Sequence, residues 1–329
     1  MNESDALSNV FATPANEGPP APRIVYDMPE ADYHADRTAW SCSALCKWLN
    51  DRRDFVAWLA GELVDAPTEE MTFGRYKHAA IFEGMDVARE RFVVAPERGG
   101  GGKDAGMLVD RRSAAGKATW KAFLATLGGR EWVRPDLAAN VPAMLAALAA
   151  HHEAGPLLFP PSDGRNEVSI WWTDPVTGAR LRCRLDRLVW LDGVPHVPDL
   201  KTTEDASDRA VEKTTARFAY HMKCAMYLDA VEAAFGVRGV MPLVFVETGP
   251  RPRVNVKWTT TSDRPCDKPT EIGRAAYRRI IREIQACQAA GDFREPWERT
   301  TRCPLTLPPW LMREHEFSGS DDLEGAEDA

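Results

Sequence analysis

The stretch Leu181–Thr203, LRCRLDRLVWLDGVPHVPDLKTT, constrains the fold more than any other part of this 329-residue chain. Two runs of alternating apolar and polar residues flank Asp192-Gly193, a dipeptide that favours a tight hairpin turn. The first run carries Asp186, and the second ends in Asp199-Leu200-Lys201. Side chains alternate faces along a strand, so Asp199 and Lys201 point one way and Leu200 the other. Closing the hairpin brings Asp186 back beside Asp199. Two carboxylates and one ammonium then meet at a sheet end. Such a set can hold a divalent metal beside a phosphodiester and position a water to attack it. The bland alternative is a surface salt-bridge cluster on a hairpin.

The rest of the chain supplies elements around this hairpin. Residues 1–30 read as a disordered leader rich in Pro, Ala, Asn and Glu. Ser41 is a plausible N-cap for a helix running to about Glu62, with Leu45, Trp48, Leu49, Phe55, Trp58 and Leu59 on its apolar stripe. In MTFGRYKHAAIFEG, Gly74 is expected to open a short helix that carries His78. RGGGGKDAG at 98–106 matches neither the phosphate-cradling loop nor the dinucleotide fingerprint. It reads as a mobile surface loop, or as a basic loop gripping a DNA backbone through Arg98, Lys103, Arg111 and Arg112. Helices are predicted over 113–127 and 136–152, then strands Glu167–Trp172 and Ala179–Leu191. The second strand sets Arg180, Arg182, Arg184 and Asp186 on one face. A helix from about Thr215 to Phe235 aligns Tyr220, Lys223 and Tyr227. Strands over 239–247 and 252–259 follow, then a helix over 268–290, basic on one side through Arg274, Arg278, Arg279 and Arg282. Residues 314–329 form an acidic tail. The expected organisation is one domain over 31–313, with a helical part at 31–155, a sheet core at 160–260 and a C-terminal helix within 265–290.

A net charge of −8 argues against a nucleic-acid partner until its distribution is considered. Residues 1–36 carry −6 and residues 314–329 carry −7, which leaves the body at +5. A mildly basic body with acidic ends is compatible with nucleic acid. Seven scattered cysteines without a C-x-x-C pair point to reduced thiols in a cytoplasmic protein and away from a structural zinc. No apolar run reaches the ~20 residues of a membrane span, and MNESDALSNV has no apolar signal core.

Several landmarks then fall in a telling order: Phe73-Gly74-x-x-x-His78, Glu167-x-Ser169, Arg184-x-Asp186, Asp199-x-Lys201-Thr202-Thr203, and Tyr220-His221-x-Lys223-x-x-x-Tyr227. From about Tyr33 to Trp258 the chain resembles the PDDEXK nuclease superfamily. The resemblance is to its branch with the exodeoxyribonuclease VIII (RecE-type) nuclease domain, related to lambda exonuclease and the RecB nuclease domain. It implies an α/β (α+β) restriction-endonuclease-like core, with a central mixed sheet flanked by helices and a helical N-terminal part. It also implies Asp186 and Asp199 as the principal metal ligands, the Leu200 carbonyl as a third, and Glu167 and His78 on the metal side. Lys201 would position and deprotonate the water, Lys223 and Tyr227 would contact phosphate, and Arg182 and Arg184 would line the DNA path. The implied cofactor is Mg²⁺, with Mn²⁺ as a substitute.

The implied activity is exonucleolytic digestion of duplex DNA ends, 5′ to 3′, for homologous recombination by strand annealing. The implied partner is a single-strand annealing protein, and the working form a homo-oligomer. An endonuclease of the same fold and a non-catalytic DNA-end-binding scaffold are the alternatives. Two departures stand out. Lys223 occupies the place of the family's usual Gln. Cys266, Cys287 and Cys303 are too dispersed for the iron-sulfur staple of some relatives, so no such cluster is expected.

Overall fold

In the computed structural model, which describes residues 20–63, 68–98, 106–159, 164–259 and 268–299, the Asp-Gly hairpin forms as its residue types dictate. Asp192 and Gly193 have φ of 51° and 78°, the left-handed pair that this turn requires. The strands are β1 (Arg23–Val25), β2 (Phe92–Val94), β3 (Glu131–Val133), β4 (Arg165–Thr173), β5 (Arg180–Leu191), β6 (Val194–His196), β7 (Asp199–Thr203), β8 (Pro242–Glu247) and β9 (Val254–Trp258). They fall into an antiparallel sheet β1-β4-β5-β6, a mixed sheet β7-β8-β9 and a parallel pair β2-β3. The expected central sheet is therefore divided between β6 and β7. A single parallel bridge, His196 to Val240, spans the division.

The α-helices are α1 (Glu30–Ala35), α2 (Cys42–Asn50), α3 (Arg52–Leu59), α4 (Glu69–His78), α5 (Met85–Arg91), α6 (Ala114–Ala125), α7 (Pro135–Ala150), α8 (Ala154–Leu158), α9 (Asp208–Arg217), α10 (Tyr220–Phe235) and α11 (Lys268–Ala290). Helix α4 runs directly into a π-helix, Ala79–Glu83. Phe73, Tyr76 and Ile81 from this region pack with Val141, Met144 and Leu148 of α7 and with Leu200, Val244 and Val246 of the mixed sheet. Helix α10 packs against β4, β5 and α11. A second compact unit starts at Phe293, and its described part carries a 3₁₀ turn over Pro296–Glu298. No described helix is long and apolar enough to cross a membrane.

Local physics explains where the expected boundaries fail. Part of the expected leader is a strand, with Arg23 registered against Trp171 of β4. Ser41 does cap a helix, accepting from the Ala44 N–H at 3.2 Å. That helix ends at Asn50, because Asp51 turns extended and its carboxylate accepts from the Arg53 N–H at 2.8 Å to start α3. Gly74 lies inside α4 rather than at its start, and Thr68 is the cap. The helix expected from Thr215 is two helices broken at Ala219, which has φ of 52°. Half of the basic side of α11 is turned inward: Arg274 pairs with Asp229 and Arg278 with Asp174, while Arg279 and Arg282 stay exposed. Gly273 permits that packing, since a Cβ there would lie 2.1 Å from the His221 carbonyl oxygen of α10. Residues 1–19, 99–105 and 314–329, which include most of the expected leader, the glycine-rich loop and the acidic tail, lie outside the described residues.

At the far end of β8, Glu247 accepts from the Arg253 guanidinium Nε at 2.8 Å and from the Ala206 N–H at 3.0 Å. The Arg253 hydrogen bonds first, and the backbone donors after them, hold its carboxyl down to about 2. A depressed carboxyl stabilises the fold above its unfolded value, and that contribution disappears as pH falls through the folded value. The Arg253 side chain is 65% exposed, so the pair is screened by solvent. Glu247→Gln should therefore cost only about 1–2 kcal/mol at pH 7. Urea midpoints of the two proteins should converge as pH falls from 4.5 toward 2.

Candidate active site

Five elements bring the landmark residues together. Glu167 comes from β4, Asp186 from β5, Asp199 and Lys201 from β7, His78 from the end of α4, and Lys223 from the first turn of α10. Pairs Asn166–Arg187 and Val168–Leu185 flank Glu167 and Asp186, which therefore face each other across β4 and β5. Glu167 has φ of 53°, a left-handed conformation inside a strand. Strain of this kind, about 1–3 kcal/mol, concentrates at functional sites. The π-helix after His78 is a second irregularity of the type found at such sites.

His78 bridges the two acids, with Nδ1 3.8 Å from Glu167 Oε1 and Nε2 3.6 Å from Asp186 Oδ2. Asp186 Oδ2 also accepts from the Leu200 N–H at 3.2 Å, a bond that ties β5 to β7. Asp199 is 1% exposed and lies between two ammonium groups, Lys201 Nζ at 2.5 Å from Oδ2 and Lys223 Nζ at 2.6 Å from Oδ1. Burial works to raise the Asp199 pKa, but the two ammoniums outweigh it and hold the carboxyl far below the usual range. For Lys223, burial favours the neutral amine, yet Asp199 prevails and the pKa is raised. Tyr220, ringside to Lys201 at 5.2 Å, has its hydroxyl pushed up to about 12 by burial and then by Asp199.

Lys77 was not among the sequence candidates. It is 4% exposed and donates to the Leu200 carbonyl at 3.2 Å. Burial first, then the Lys201 charge, pushes its amine down to about 7. The only sequence signal was a lysine set between Tyr76 and His78 beside the apolar run Ala79-Ala80-Ile81.

Five residues stand differently from their expected roles. Arg184 does not face an open DNA path: its guanidinium pairs with Glu167 and donates to the Met28 carbonyl at 2.9 Å. Burial alone would raise the Glu167 carboxyl, but His78 and Arg184 lower it overall. Arg182 is 1% exposed, buried against the Tyr33 ring at 4.4 Å, so it lines no path either. Tyr227 is also buried, with the Lys223 ammonium 4.8 Å over its ring, which places it behind Lys223 rather than in reach of a phosphate. Lys223 itself is committed to Asp199. The Leu200 carbonyl, expected as a metal ligand, is occupied by Lys77.

Residues 41–289 match the PDDEXK-like domain of unknown function DUF3799. The chain belongs to this PDDEXK-like family. A crystal structure from Eubacterium rectale described as a "Putative exonuclease" matches with a TM-score of 0.49 and 13% identity, over 88% of this chain and 98% of that one. No curated protein matches the sequence.

Whether this PDDEXK-like site fits a divalent ion can be judged from its donors. Among the described residues, no three His, Cys, Asp or Glu side chains stand in ligating positions around a common point. Lysines explain this, because they already neutralise Asp199 and hold the Leu200 carbonyl. The donors are nonetheless hard oxygens of the kind that Mg²⁺ takes. Buried Asp199 Oδ2 accepts no well-formed hydrogen bond and has only the off-axis Lys201 contact. The donor set fits a hard divalent cation in kind, with Lys201 standing as counter-ion where the cation would sit.

Proposed function

We propose that this PDDEXK-like protein is a nuclease that hydrolyses phosphodiester bonds in DNA with Mg²⁺ or Mn²⁺. One observation carries the reading: Asp186, Asp199 and Lys201 converge at the meeting of the two sheets, with Glu167 and His78 alongside. Asp186 and Asp199 Oδ2 would hold the ion, with Glu167 and His78 adjoining. When bound, it supplies charge relief on the phosphorane-like transition state and a more acidic water. Lys201 would orient the attacking water and, as the neutral amine, accept its proton, while His78 would keep the Glu167 and Asp186 carboxylates in place. Arg184 neutralises Glu167 from the side away from His78.

Duplex DNA ends as the substrate, 5′ to 3′ polarity and service to strand annealing are the finer parts of the proposal. They rest on the sequence resemblance. End-labelled linear duplex and covalently closed circular duplex, each incubated with Mg²⁺, test them together. A 5′ label should be released as a mononucleotide while a 3′-labelled strand shortens gradually, the circle should survive, and EDTA should stop the reaction. Cutting of the circle would make the protein an endonuclease. The Lys223–Asp199 ion pair favours one rival, a DNA-end-binding scaffold. Linear duplex bound but undigested, at every Mg²⁺ and Mn²⁺ concentration, would establish that rival.

A further inference from the structure

The oxygens of this site are unequally committed, and the inequality bears on how many ions the site takes. Asp199 Oδ1 holds Lys223 at 2.6 Å in a well-formed hydrogen bond, whereas Oδ2 has only the off-axis contact to Lys201. The Leu200 carbonyl holds buried Lys77 at 3.2 Å. Three carboxylates, Glu167, Asp186 and Asp199, already face Lys77, Lys201, Lys223 and Arg184. A two-ion site needs carboxylate oxygens shared between ions only about 3.5–4 Å apart. Here the oxygens such sharing would require are taken, Asp199 Oδ1 by Lys223 and the Leu200 carbonyl by buried Lys77.

Resting on the nuclease reading above, we propose that the site takes one divalent cation per chain, because Lys223 is a resident cation in the place of a second. Lys201 is the ammonium a bound cation would displace, because its contact to Asp199 Oδ2 is off-axis and not a hydrogen bond, although its side chain is no more exposed than that of Lys223, 17% against 19%. Lys223 by contrast is fixed from two sides, by Asp199 Oδ1 and by the Tyr227 ring at 4.8 Å. The departure from Gln at this position thus acts on ion number rather than on water orientation.

Mn²⁺ binding to the full chain without DNA tests this, read from the electron paramagnetic resonance signal of free Mn²⁺. The wild type should bind one ion per chain, and Asp186→Ala should bind none. Lys223→Gln and Lys223→Met, each checked for fold by near-ultraviolet circular dichroism, should bind two. Two ions on the wild type overturn this inference and leave the nuclease reading intact. A folded Lys223 variant that still binds one ion overturns it as well. A wild type that binds no Mn²⁺ at millimolar concentration overturns both.

Discussion

Asp186→Ala should lower Mg²⁺-dependent digestion of linear duplex by about a thousandfold or more, the range seen when a single pre-aimed charge-stabilising group is removed from an active site. The carboxylate sits at the centre of the cluster, touching His78 Nε2 at 3.6 Å and the Leu200 N–H at 3.2 Å. Its loss would remove one of the two proposed metal donors and free His78 from one of its two acids. Lys201→Ala should give a loss of similar order, because no other ammonium can take its place: Lys223 is held on Asp199 Oδ1 and Lys77 on the Leu200 carbonyl. The two variants should differ in a second readout. Lys201→Ala removes a competing cation from Asp199 Oδ2, so it should retain or tighten Mn²⁺ binding, whereas Asp186→Ala should lose it. Digestion within tenfold of wild type in either variant would remove these residues from the chemistry.

Arg278→Ala should be the most damaging substitution for stability, at about 3 kcal/mol. Asp174 is fully buried at the β4–β5 turn, where its carboxylate accepts from Arg278 at 2.8 Å and from the Thr177 N–H and hydroxyl at 2.9 and 2.8 Å. The Tyr277 hydroxyl bridges this group to Asp229, 3.1 Å from one carboxylate and 2.6 Å from the other. Burial would raise the Asp174 pKa, and Arg278 chiefly reverses that. Without the guanidinium, a buried carboxylate loses its counter-charge, and that penalty exceeds what the pair contributes when intact. Arg279→Ala is the control one residue along. Its guanidinium is 65% exposed and pairs with Glu283 at 3.1 Å, so it should change stability by no more than about 0.5 kcal/mol. Urea unfolding of both variants decides the matter, and equal midpoints would mean that the buried network carries no net weight.

These two networks also mark what could be read from the chain and what could not. The hairpin was legible because Asp-Gly needs left-handed φ and the flanking alternation has a single register. Period two alone puts Asp199 and Lys201 on one face, whereas Glu167 enters only through the family resemblance. What escaped depends on distant partners. Lys77 and Leu200 are 123 residues apart, and no local pattern announces that a lysine on α4 ends on a carbonyl of β7. Arg184 and Arg182 were placed on the correct strand face, but that face is covered by α1, whose Tyr33 packs against both. Arg274 and Arg278 lie four residues apart on one side of α11, as predicted, yet that side meets Asp229 and Asp174 rather than water. Charge on a helix face suggests exposure, and the buried acids Asp229 and Asp174 reverse that here. The break at Ala219 has no composition signal, since alanine has no preference for φ of 52°.

Strand β7 lies at the outer margin of its sheet, with β8 on one side only. An open margin offers unpaired peptide groups on which another chain can add a strand. At Leu200 both of those groups are taken, the N–H by Asp186 and the carbonyl by Lys77. The side chains of the candidate site thereby also cover this border at Leu200 against strand addition by another chain.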